Sequence, residues 1–79
     1  MAWNETSTSM VREFQFPDFR TAMTFLNRVA DLAEDQGHHP EIFNVYGRVR
    51  LTLTTHDAGN TVTSKDRRLA AAIDALTES

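Results

Sequence analysis

Cysteine is absent from the 79 residues, so no disulfide, thiolate metal site or thiol nucleophile is available. Proline occurs only twice and glycine three times, too few for a linker-rich or collagen-like chain. No apolar run approaches the roughly 20 residues of a membrane-spanning helix. Basic charge is also scarce: eight Lys and Arg against eleven Asp and Glu leave a formal net charge of −3. A nucleic-acid surface, which needs a basic patch or stripe, is therefore disfavoured. The first ten residues, MAWNETSTSM, lack the basic and apolar regions of a secretory signal. The expectation is a soluble cytoplasmic protein, with the nucleus also open to it in a eukaryote. What is present is 41% hydrophobic residues with five Phe, a globular composition. The length allows one domain, residues 1–79, whose core is small and whose stability is thin unless copies associate.

From Met10 the chain alternates, with Met10, Phe14 and Phe16 on one side and Val11, Glu13 and Gln15 on the other. This predicts a half-buried strand over residues 10–16, interrupted on its apolar side by Arg12 and able to form a hairpin with residues 2–5. Asp18 is placed to cap a helix that ends at Gly37. Its apolar positions Phe19, Ala22, Met23, Leu26, Val29, Ala30 and Ala33 follow helical spacing. Phe25 and Leu32 widen that stripe beyond one sheet contact, which suggests a subunit interface. Residues 42–46 and 48–56 read as a hairpin turning near Tyr46-Gly47, with Val49, Leu51 and Leu53 on one face. Asp57-Ala58-Gly59-Asn60 reads as a loop. A second helix starts near Ser64, its stripe made of Leu69, Ala72, Ile73 and Leu76, and Thr63-x-x-Asp66 resembles a capping box. The order ββαββα predicts an α+β domain: a four-stranded antiparallel sheet with two helices on one face.

Three histidines draw the chemistry to one corner. His38 and His39 follow the long helix, and His56 ends the predicted strand. In a hairpin turning near Gly47, paired residues have numbers summing to about 93, which puts His56 opposite Gly37 or His38. Imidazole populates both protonation states near neutrality and suits general acid–base work. Glu34 lies within reach of the same corner, and Asp66 is placed in the first turn of the second helix. Taken blandly, Glu34 is a solvated helix residue, Asp66 a favourable charge at a helix start, and Trp3 a packing aromatic. Arg48, Arg50, Lys65, Arg67 and Arg68 read as a solvated face. A three-histidine metal site is a weaker alternative, because the HExxH spacing is missing. No nucleophile elbow or phosphate loop is present.

The stretch Glu34-x-x-x-His38-His39-Pro40-x-x-Phe43-Asn44-Val45-Tyr46, then Leu53-x-Thr55-His56, then Asp66-x-x-Leu69-Ala70, resembles the pterin-4a-carbinolamine dehydratase family. Phe14-x-Phe16-x-Asp18-Phe19 is similar to that family's strand-to-helix junction, and the likeness runs from about Trp3 to the final helix. It implies a site of His38, His39 and His56, with Glu34, Pro40 and Asp66 around them and Trp3 bordering the pterin pocket. It further implies dehydration of a 4a-hydroxy-tetrahydrobiopterin in tetrahydrobiopterin recycling, without metal or organic cofactor. His38 and His56 are expected to share the proton transfers while His39 orients the pterin. The family's homotetramers, dimers of dimers joined at sheet edges, imply that copies of this chain associate as a dimer or tetramer. A role as a non-catalytic dimerisation cofactor with a protein partner is the alternative. Two departures stand out: the family's usual helix before the tryptophan is lacking, and Ile42 replaces a frequent aromatic.

Overall fold

The computed structural model describes residues 3–77. The strands are β1 (Asn4–Glu5), β2 (Met10–Gln15), β3 (Glu41–Val45) and β4 (Arg48–Leu53); the helices are α1 (Phe19–Gln36) and α2 (Ser64–Thr77). They form one antiparallel sheet in the order β1-β2-β4-β3. The α+β architecture is the expected one, and among the described residues no helix precedes β1. Of the strand predicted over residues 2–5, Ala2 lies outside the described residues.

Alternation decides the layers. Met10 pairs with Leu53, Arg12 with Leu51 and Phe14 with Val49, so these positions share the face that the helices cover. Ala22, Phe25, Leu26 and Val29 from α1 meet Leu69, Ala70 and Ile73 from α2 over that face, all buried. Arg12 is accommodated there because its guanidinium donates to Asp74 Oδ1 on α2 at 2.5 Å and lies 4.4 Å from the Phe14 ring centroid. Asp74 also accepts from Trp3 Nε1 at 2.8 Å, so one carboxylate joins β2, α2 and the start of the chain.

Three expectations are corrected. Phe25 does not widen α1 toward a partner subunit: it packs on Phe14 and Phe16, with ring centroids 4.8 and 5.0 Å away, inside this chain's own core. Leu32 also packs against that core, partly buried. Phe19 is exposed rather than part of the buried stripe, since in the first turn its side chain leans back past the helix end. The strand predicted to reach His56 stops at Leu53. Thr55 makes only an isolated bridge to Thr61, and His56–Ala58 form a 3₁₀ turn closed by Gly59 and Asn60, at φ 77° and 61°. Two successive left-handed residues reverse the chain, and Gly and Asn tolerate that region best.

The hairpin itself follows the expected register: Glu41 pairs with Thr52 and Phe43 with Arg50. Its turn fits tightly under the neighbouring strand, where a Cβ on Gly47 would lie 2.3 Å from the Phe16 carbonyl oxygen. The Asn44 side-chain amide donates to the carbonyls of Tyr46 and Arg48 and braces the turn.

Candidate active site

The corner where α1 ends, β4 ends and α2 begins is built from backbone up. Gly37 takes φ 65° and closes α1: its N–H donates to the Glu34 carbonyl, and the His38 N–H to the Ala33 carbonyl. This pair of bonds is the Schellman arrangement, and it sets where His38 leaves the helix. Pro40 restricts His39 before it to extended backbone, so successive side chains diverge and the two imidazoles take separate partners. His38 Nε2 lies 2.5 Å from Asp66 Oδ1, and His39 Nε2 lies 2.6 Å from Glu34 Oε2.

Asp66 is fully buried in the first turn of α2. Its Oδ2 accepts the Thr63 backbone N–H at 2.9 Å, as a capping-box acid does, and the Thr55 hydroxyl at 2.7 Å. Burial taken alone pushes the Asp66 carboxyl up. The hydrogen bonds from His38, the Thr63 N–H and the Thr55 hydroxyl, with attraction to His38, outweigh it and hold the group below the usual carboxylate value.

On the far side of the corner the 3₁₀ turn orients His56, whose Nδ1 lies 2.8 Å from the Asn60 side-chain oxygen. All three histidines line one cavity of about 210 Å³ together with Gly37, Thr54, Thr55, Asp57 and Lys65. A second cavity of equal size, bordered by Gln36, Ser64 and Arg68, shares His38 and Lys65 with the first.

The three rings have a common logic. A carboxylate can only accept, so at His38 and His39 it is Nε2 that carries the proton, leaving Nδ1 with the lone pair of the neutral ring. At His56 the amide oxygen accepts from Nδ1–H, which leaves Nε2. Each imidazole therefore keeps one nitrogen for proton transfer while the other is held. Among the described residues no group of three or more His, Asp or Glu is arranged to hold a metal ion.

Of the remaining residues expected at the site, Glu34 and Pro40 stand behind the histidines and do not line their cavity. Trp3 is not brought to it. Its indole is buried in the core, edge-on to Phe14 and bonded to Asp74, beside a different cavity lined by Met10, Ala70 and Asp74. Ile42 does not line the histidine cavity either; it stands half exposed on β3. Sequence reasoning missed the support given by Thr55 and Asn60. Lys65, read as solvated face, is exposed and in addition borders both cavities. The signal for Thr55 was its place beside His56 in the quoted motif; for Lys65 it was adjacency to Asp66.

Comparison with known proteins gives a consistent result. The family model described as pterin 4 alpha carbinolamine dehydratase matches residues 1–76. A Gloeobacter violaceus protein provisionally named pterin-4-alpha-carbinolamine dehydratase 2 is 55% identical over 67 residues, covering 85% of this chain and 72% of its own length. A provisionally named dehydratase of Solibacter usitatus is 49% identical over 75 residues, covering 95% of this chain and 78% of its own. Among solved structures, a transcriptional coactivator/pterin dehydratase from Brucella melitensis superposes with a TM-score of 0.86 at 41% identity, over 94% of this chain and 80% of that one. A pterin dehydratase-like protein described as a RuBisCO assembly factor in the alpha-carboxysome superposes at 0.81 and 28% identity, over 100% and 93%.

Proposed function

This chain belongs to the pterin-4a-carbinolamine dehydratase family, and from that premise we propose that it removes water from 4a-hydroxy-tetrahydrobiopterin to give the quinonoid dihydropterin in tetrahydrobiopterin recycling. The observation that carries this reading is the convergence of His38, His39 and His56 on one cavity, each with one ring nitrogen already committed.

In the reaction the C4a–O bond breaks and the departing hydroxyl takes a proton to leave as water. The N5–H proton goes to a base, and its bonding pair forms the C4a=N5 double bond. No net proton is consumed. His38, through Nδ1, and His56, through Nε2, supply the donor and acceptor, while His39 orients the ring. Hydroxide is a poor leaving group, so the oxygen must be protonated as the C–O bond breaks. On this reading no metal or organic cofactor takes part; turnover survives chelators, and elemental analysis finds no stoichiometric metal. Among the described residues no helix is long and apolar enough to cross a membrane, and we place the reaction in the cytoplasm.

Stopped-flow measurement with freshly generated 4a-hydroxy-tetrahydrobiopterin tests this. His38→Ala and His56→Ala are each expected to lower kcat by ~10²–10⁴-fold, the usual contribution of one positioned acid or base. His39→Ala is expected to raise KM more than it lowers kcat. Wild-type rates in both His38→Ala and His56→Ala would overturn the assignment.

A second reading, a protein-binding role without catalysis, is favoured by one feature: Ile42, Phe43, Val45 and Tyr46 stand exposed on the edge strand β3 and its turn. The assembly-factor relative has this fold. Under this reading partner capture survives loss of all three histidines and the wild-type protein dehydrates nothing.

A further inference from the structure

We propose that Thr55 is a positioning residue for the reaction, the middle link of an oriented hydrogen-bond chain that fixes which nitrogen of His38 carries the proton. The inference rests on the dehydratase reading for its kinetic arm alone.

The polarity of the chain follows from counting protons. Asp66 Oδ2 can only accept, so the single Thr55 hydroxyl proton points to it, at 2.7 Å. The Thr55 oxygen must then receive from the Thr63 hydroxyl, also 2.7 Å away. With its own proton spent, Thr63 Oγ1 accepts the Lys65 backbone N–H at 3.3 Å. The other carboxylate oxygen, Oδ1, meets His38 Nε2 at 2.5 Å. Every link has one sense, from the first turn of α2 through two threonine hydroxyls to the carboxylate, with the imidazole donating from the opposite side.

Burial makes the chain consequential. Thr55 and Asp66 are both buried, and Asp66 does not line the cavity that Thr55 and His38 border, so its carboxylate oxygen is poorly placed to find a water in place of a missing hydroxyl. Without the Thr55 hydroxyl, Oδ2 keeps only the Thr63 N–H, and Thr63 loses its acceptor. The freed Thr63 hydroxyl then competes for the carboxylate, which turns away from its line with His38 Nε2. The Nδ1–H tautomer of His38 then becomes populated, and in it Nδ1 has no lone pair with which to take up a proton. No contact between Thr55 and the reacting atoms is required.

The test compares Thr55→Val, which keeps the branched shape, with Thr55→Ser, which keeps the hydroxyl. Long-range ¹H–¹⁵N spectra at a pH where the imidazoles are neutral report which nitrogen of His38 is protonated. The expected wild-type result is Nε2–H, a mixture in Thr55→Val, and restoration in Thr55→Ser. In the stopped-flow assay Thr55→Val is expected to lose at least roughly tenfold in kcat, a smaller loss than the ~10⁴-fold known when a tautomer-fixing carboxylate is itself neutralised. KM should stay within about twofold. If Thr55→Val does not fold, Thr55→Ala carries the same expectations. A lone Nε2–H tautomer with wild-type kcat in the hydroxyl-free variant overturns the proposal, as does a Ser variant that falls as far as Val. If the wild-type protein dehydrates no pterin, the functional reading fails, and the tautomer spectra still decide the positioning claim.

Discussion

Glu34 and Asp66 each meet a histidine Nε2, at 2.6 and 2.5 Å, in opposite surroundings. The Glu34–His39 side chains are 77% and 63% exposed, and such pairs contribute about 0–1 kcal/mol. Asp66 is wholly buried and bonded at both oxygens. Glu34→Gln is therefore expected to leave kcat within a fewfold of wild type. Asp66→Asn should lower it by up to ~10³–10⁴-fold, since an amide in place of a carboxylate can favour the wrong tautomer; the same stopped-flow assay separates them. Asp66 also ties stability to acid. Its folded-state pKa is held below the unfolded value of about 3.9, so its contribution is complete above that pH and is lost as pH falls through the folded value. Urea midpoints taken from pH 6 to pH 2 should fall less steeply in Asp66→Asn than in wild type.

Elements differ in how openly their residues declare them. Gly47→Ala forces a methyl within 2.3 Å of the Phe16 carbonyl and is expected to cost about 1–3 kcal/mol or more, read as a lower urea midpoint. That constraint joins two strands distant in sequence and is invisible along the chain. Helix α1 was legible from Asp18 and Gly37, because both ends are local hydrogen-bond problems: Asp18 accepts the Thr21 N–H at 2.7 Å, and Gly37 supplies the left-handed exit. The β3–β4 register was legible because a tight turn sets it arithmetically, which is why the histidines could be grouped from spacing alone. The end of β4 was hidden, since Thr52 to Thr55 continue a strand-like pattern until Gly59 and Asn60 reverse it. Phe25 was misread because helical angle says nothing of how far the Phe14 and Phe16 rings reach across the sheet. Thr55 becomes part of the site only through its contact with Asp66, and Asn60 through the reversal of the chain that brings it to His56; the packing of Trp3 was hidden because its partner, Asp74, is 71 residues away.

At the scale of the molecule, 79 residues correspond to a stability of about 4–12 kcal/mol. Leu51, buried at the centre of the sheet, illustrates the narrow margin: Leu51→Ala is expected to cost about 2–5 kcal/mol, enough to leave a measurable unfolded population at 37 °C by circular dichroism. Association of copies would restore part of that margin, and the melting temperature should then rise with protein concentration. Strand β3 is the place to look: among the described residues its outer edge is unpaired, and its apolar side chains are exposed on both faces of the sheet. An open edge of this kind accepts any extended strand, correct or not. While uncovered during synthesis or dilution, such an edge is a template for non-native strand pairing. A single lysine at Val45 should act as a gatekeeper, keeping freshly made chains in solution at the expense of assembly.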